Sequence, residues 1–310
     1  MNHTSDPVVE VVDLRKSYGA KHALDGLDFD IRTGEIFALL GPNGAGKSTT
    51  IEILEGFRTP TSGHVRVLGA SPWNADAAWR ARVGVVGQST ADIDRFSARE
   101  LLRHFAGFYP DPRDPDEVLE AVGLAPHAGA RVRTLSGGQK RRVDVALGII
   151  GRPELLFLDE PTTGFDPEAR RRFWTLVESL RTDGTTILLT THYLDEAEHL
   201  ADRVGVIAGG RLVEIGTLRE LGGPEARTPV VSWRDADGHH RSERTHTPAA
   251  LVSELAAALG GEPPELSVHR PTLEDIYLDL LEAHAATAGS SATVDEHGGR
   301  PTTNAGTATR

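Results

Sequence analysis

The segment Gly41-Pro-Asn-Gly-Ala-Gly-Lys-Ser48 constrains this chain more than any other, because few folds have a use for it. It directly follows a short, wholly apolar run, Ile36 to Leu40, and opens a stretch of helical character from Lys47 to about Gly56. A strand, a glycine-rich turn and a helix in that order make a phosphate-binding loop. Glycines let successive backbone N–H groups converge on phosphate oxygens, and the helix N-terminus adds its dipole. In such a loop Lys47 reaches the β- and γ-phosphates, and the Ser48 hydroxyl serves Mg2+.

A second apolar run, Leu155 to Leu158, ends in two adjacent carboxylates, Asp159 and Glu160. Ligands of open α/β sheets bind at the C-terminal ends of the strands. Asp159 is therefore placed to hold Mg2+, and Glu160 to polarise an attacking water. Alone, such a strand end is usually just a strand leaving the core; beside the phosphate loop it reads as chemistry. These features define only a nucleoside triphosphatase. Leu135-Ser-Gly-Gly-Gln139 narrows the class, since Ser136, Gly137 and Gly138 expose another group of N–H donors at a helix start. A plain helix cap explains the same residues as well.

Strands are predicted at 8–13, 27–31, 36–40, 64–68, 83–86, 154–158 and 185–191, the last two apolar on both faces as in buried parallel strands. Between them Glu168 to Arg181 carries Phe173, Leu176, Val177 and Leu180 at helical spacing, so strand, helix and strand form a βαβ unit. Residues 97–126 read as mainly helical. Past Gly216 the pattern changes: a hairpin over 230–245 turning at Asp235–Gly238, a helix from Ala249 to Leu259, a strand at 265–269 and a helix from Thr272 to Glu282. From Ala285 the chain is small and polar, and a disordered tail is predicted over 285–310.

The ordered set of motifs over about residues 8–220 resembles the nucleotide-binding domain of ATP-binding-cassette (ABC) proteins, whose signature is Leu-Ser-Gly-Gly-Gln. The resemblance implies an α/β fold of the P-loop NTPase class: a mostly parallel sheet core, an N-terminal antiparallel β subdomain and an inserted helical subdomain at about 90–150. The cassette then spans 8–226, and 227–284 forms a small α+β C-terminal domain. Two such domains pair head to tail, the signature of one chain closing on the γ-phosphate held by the other. ATP and Mg2+ are the implied cofactors. Gly41, Pro42, Asn43, Gly44, Ala45, Gly46, Lys47, Ser48 and Thr49 would bind nucleotide together with Tyr18, which matches the aromatic stacked on adenine. Ser136, Gly137, Gly138 and Gln139 would complete the partner's site, and Asp166 matches the Asp loop, with Phe165 where Leu is expected. Glu160, His192 and Gln88 carry the catalytic roles by resemblance, with His192 as the switch histidine. Ser48, Gln88 and Asp159 are the implied Mg2+ ligands.

Two stretches, 191–203 and Pro271–Leu278, resemble drug-exporter ATPases of the daunorubicin-resistance type. Such ATPases pair with separate permeases, so the expectation is a peripheral subunit on the cytoplasmic face of a membrane. The chain itself has no apolar run long enough to span one, and its N-terminus does not read as a signal peptide. A net charge of −12 argues against general nucleic-acid binding, and the absence of Cys excludes thiolate metal sites and disulfides. The adjacent His239 and His240 lack a third ligand for a metal. ABC ATPases of translation and repair remain the alternative. A single cassette, with no sustained heptads in the 89 residues from Lys47 to Ser136, weighs against them.

Overall fold

In the computed structural model the described residues are 7–87, 95–235 and 237–291. The main body is built on a six-stranded sheet. Its strands are β3 (Ile36–Leu40), β5 (Val83–Val86), β6 (Leu155–Asp159), β7 (Thr186–Thr191), β8 (Arg203–Ala208) and β9 (Arg211–Gly216), in the order β5-β6-β7-β3-β8-β9. The first five are mutually parallel, and only β9 runs antiparallel. Strands β3, β6 and β7 are buried at every position. That explains their unbroken apolar sequences: a parallel strand covered by helices on both faces has no solvent side.

A second sheet packs β1 (Val9–Tyr18) between β2 (Lys21–Ile31) and β4 (Ser62–Val67), all antiparallel. This is the expected N-terminal β subdomain. Its apolar inner face joins one core with Phe37, Leu39, Ile51 and Phe157. The helical subdomain contains α3 (Ala98–Ala106), α4 (Pro115–Ala121) and α5 (Gly137–Ile149). Their starts are written in the sequence. Ser97 and Glu100 form a reciprocal capping box on α3, and Asp114 caps α4 with Pro115 at the first turn. Leu101, Leu119, Val143 and Ile149 bury against Val177 and Leu180 of α6 (Pro167–Thr182).

The hairpin β8–β9 is absent from the sequence reading, although Gly209-Gly210 between two apolar-rich runs is a recognised turn signal. Downstream, β10 (Val230–Arg234), β11 (His240–Arg244) and β12 (Ser267–His269) make a small antiparallel sheet beside α8 (Pro248–Leu259). The last helix, α9 (Leu273–Ser291), differs from expectation in two ways. It runs past residue 285, where the tail was set to begin, because Ala283, Ala285 and Ala286 favour helix. It also leaves the small sheet: Leu273 and Ile276 are buried with Ala38, Leu40, Val204 and Val206 of the six-stranded sheet. Residues 227–284 are therefore not one separate packing unit.

Candidate functional site

Strand order alone gathers the predicted residues. β6, β7 and β3 are neighbours, so Asp159 and Glu160, His192 and Gly41 all emerge at one edge, with Asp159 opposite Thr190 and Leu40 opposite Thr191. The loop 41–46 that leaves this edge is sterically specified. A Cβ at Gly41 would lie 2.4 Å from the Ile207 carbonyl oxygen, and one at Gly46 2.6 Å from Leu24 Cδ2. Gly46 also has φ of 115°, a conformation that L side chains rarely adopt. The loop then turns directly into α1 (Lys47–Leu54).

Inside the loop, the Lys47 ammonium is 6% exposed and donates to the carbonyls of Gly41 (2.7 Å) and Pro42 (3.3 Å). Burial lowers its pKa, and the facing Glu160 and Asp159 oppose that shift. Asp159 is 8% exposed, and burial raises its pKa; the Thr190 hydroxyl, donating at 2.5 Å to Oδ1, works the other way. Glu55, just past α1, has its carboxyl pushed up to about 8 by burial and by the charges of Asp159 and Glu52. Burial thus favours the neutral forms of Asp159 and Glu55, while the nearby cations Lys47 and Arg141 draw Asp159 towards its charged form.

Glu160 has a backbone φ of 48° and is not glycine. That left-handed conformation is strained for a residue of its kind and marks a position held by its surroundings. Its N–H donates to the Thr190 carbonyl at 3.0 Å, and its Oε2 lies 3.5 Å from His192 Nδ1. The base and the histidine named from sequence are thus side by side.

Three cavities meet at Glu160. One of about 240 Å3 is lined by Tyr18, Asn43, Gly44, Lys47, Ser48 and Thr49, which puts Tyr18 beside the phosphate loop. Its ring is half exposed, with Lys16 Nζ 5.2 Å from the centroid. A second, about 280 Å3, lies between Gly41–Asn43 and His192. The third, about 680 Å3, is lined by Ser136, Gly137, Gly138 and Asp166. Among the described residues, none of these three cavities holds both the signature and Lys47. Ser136 instead caps α5, accepting from the Gln139 N–H at 3.3 Å while Gln139 Oε1 accepts from the Ser136 N–H. Asp166 likewise caps α6, and the Ala169 N–H holds its carboxyl below its usual pKa. Gln88 lies outside the described residues. Phe165 is buried edge-on against Phe173, centroids 6.0 Å apart, which accounts for a large aromatic where Leu was expected.

The sequence reading missed Arg141. This buried guanidinium on α5 donates to the carbonyls of Asp159 (2.5 Å), Glu160 (3.3 Å), Pro161 (3.2 Å) and Gly87. It thus fastens the signature helix to the strand end that carries both acids. Only the run of cations after Gln139 hinted at it, and a run of charge usually means solvent.

The ABC transporter family profile matches residues 24–163. The chain is 37% identical over 305 residues to the daunorubicin resistance ATP-binding protein DrrA3 of Streptomyces coeruleorubidus, covering 89% of this chain and 96% of that one. The chain belongs to the ABC transporter ATP-binding family. It is also similar to the Nod factor export ATP-binding protein I of Ralstonia nicotianae, at 39% identity over 89% of this chain and 94% of the relative. Among solved structures, an ATP-binding subunit of an ABC transporter superposes with a TM-score of 0.64 at 28% identity, over 69% of this chain and 91% of that one. A dimeric ATP-binding cassette bound to ADP and Pi superposes at 0.63 and 25% identity, over 68% of this chain and 99% of that one. This ABC ATPase is accordingly an ATP-binding, ATP-hydrolysing subunit. No helix among its described residues is long and apolar enough to cross a membrane.

Proposed function

We propose that two copies of this ABC ATPase close head to tail on ATP and Mg2+ and drive a separate membrane permease. The cargo is a drug-like or hydrophobic compound carried out of the cell, and the ATPase sits peripherally on the cytoplasmic face. The observation that carries the pairing is the separation of the signature cavity from the phosphate-loop cavity, with Glu160 at the border of both. A second donor cluster that cannot serve its own Lys47 is accounted for if it serves another chain's.

The Ser48 hydroxyl and the Asp159 carboxylate are hard oxygen donors at a strongly acidic edge, a set that fits Mg2+ better than a softer ion. Bound there, the ion would neutralise charge on the phosphates. Tyr18 would carry the adenine, while Lys47 and the 41–49 backbone hold the phosphates. Glu160 accepts a proton from the attacking water, whose oxygen bonds to the γ-phosphorus as its bond to the bridging oxygen breaks, releasing ADP and phosphate. His192, beside Glu160, contacts the γ-phosphate. Losing that phosphate weakens the closed dimer, and reopening resets the pair. Export of a drug-like compound is supported by relatives named for daunorubicin resistance and for Nod factor export; a permease surface is supported by the exposed aromatics Phe57, Phe96 and Phe108.

The test is steady-state ATP hydrolysis by the purified chain over a range of protein concentrations, with Mg2+ and with EDTA. Specific activity should climb with concentration as dimers form and vanish in EDTA. A rate per chain that stays flat with dilution, or that survives EDTA, would overturn the reading.

A further inference from the structure

The second cavity has a wall that belongs to neither the phosphate loop nor the switch histidine. Tyr277, on α9, lines it together with Pro42, Asn43, Glu160 and His192. This residue lies over 80 positions beyond His192 in sequence, in a segment with no role in the chemistry described so far.

Its placement is firmly built. The N-terminus of α9 is capped by Thr272 and Asp275, each hydrogen-bonded to the other's main chain. The Leu273 N–H donates to Glu198 Oε1 at 3.2 Å, and Glu198 sits on α7 (Leu194–Leu200), the helix that directly follows His192. Leu273 and Ile276 are each 1% exposed, buried beside Ala38 and Leu40 at the end of the strand that feeds the phosphate loop. Ile276 is seated against Gly222, where an added Cβ would come within 2.8 Å of it. On the next position the half-buried Tyr277 ring packs on the same apolar cluster and faces the cleft. Burial raises the pKa of its phenol, so the side chain is neutral in the physiological range.

We propose that α9 is a working part of the ATPase centre: the Tyr277 ring forms the wall that holds the His192–Glu160 side of the cleft in shape, making turnover depend on α9 being docked. The inference rests on the assignment of Glu160 and His192 given above. Tyr277 is a positioning residue. Its cavity includes Gly41–Asn43 of the phosphate loop but not Tyr18, Lys47 or Thr49, so losing the ring should lower turnover more than it weakens ATP binding.

The experiment compares the full-length wild type with Tyr277→Ala, Tyr277→Leu, Tyr277→Phe and Glu160→Gln, reading kcat, KM, ATP affinity by titration and Tm. Leu278→Ala, at a largely exposed position on the same helix, is the control. Misplacing a reacting group by about an ångström costs up to roughly 100-fold. Tyr277→Ala should therefore lower kcat by about tenfold or more while ATP affinity changes by less than that factor, and Tyr277→Phe should restore kcat to within about twofold. Tyr277→Leu keeps apolar bulk on the cluster but shortens the wall; it should fold and still lose turnover, which covers the case of an unstable Ala variant. If the Leu or Ala variant folds and keeps the wild-type kcat while Glu160→Gln is inactive, the wall has no function and the proposal fails alone. If Tyr277→Phe is as impaired as Tyr277→Ala, the ring is not what matters and the proposal fails likewise. Should Glu160→Gln itself turn over normally, the site assignment falls and the proposal falls with it.

Discussion

Glu160→Gln is expected to abolish ATP turnover while leaving nucleotide binding intact. A positioned general base contributes about 10²- to 10⁴-fold, and the variant should lose at least that much of kcat. The substitution is nearly isosteric, so the other features of the position survive. The φ of 48° and the N–H donation to the Thr190 carbonyl are backbone features that do not involve the carboxylate. An amide oxygen still faces His192 Nδ1 across 3.5 Å. What disappears is the capacity to take a proton from water. Single-turnover kinetics separates the outcomes: binding at the wild-type level without product formation is expected. Wild-type turnover would move the base to another residue.

Lys47→Ala is expected to cost about 10²- to 10³-fold in hydrolysis, the scale of deleting one preorganised charged donor, and to weaken ATP binding as well. Its effect on folding should be small, because two terms oppose each other. Truncation leaves the Gly41 and Pro42 carbonyls without their donor, at about 1–3 kcal/mol. It also removes an ammonium that folding must bury, a cost that burial already registers as a lowered pKa. Thermal unfolding run beside a nucleotide titration checks both halves. A variant that bound ATP as tightly as the wild type would remove Lys47 from the phosphate site.

Most of this site was legible because its residues sit at strand ends. The runs Ile36–Leu40 and Leu155–Leu158 are too apolar to be anything but buried parallel strands. A motif that follows such a strand must then appear at the same sheet edge. That logic placed Asp159, Glu160, His192 and the phosphate loop together without any knowledge of strand order. It had no purchase on Arg141, whose role depends on a guanidinium reaching from one helix to four carbonyls on other segments. Nor could it find Tyr277. The helix from Thr272 to Glu282 was expected, and Leu273, Ile276, Tyr277 and Leu280 recur along it at helical spacing, but such spacing says that a face packs, not what it packs against. The β8–β9 hairpin was hidden for a different reason: β9 is only half buried along its length and carries little hydrophobic contrast.

The central claim is that each hydrolysis site is composite, the phosphate loop coming from one copy and the signature from the other. It is tested most directly by mixing two inactive variants of the full chain. One is Lys47→Ala; the other is Ser136→Arg, which blocks the signature and leaves the phosphate loop intact. A head-to-tail pair of the two contains one site with both defects and one with neither, so the mixture should regain hydrolysis that each variant alone lacks. If mass measurement shows that the mixed dimer forms and the mixture is still as inactive as its parts, the signature does not act across the dimer and the account is contradicted.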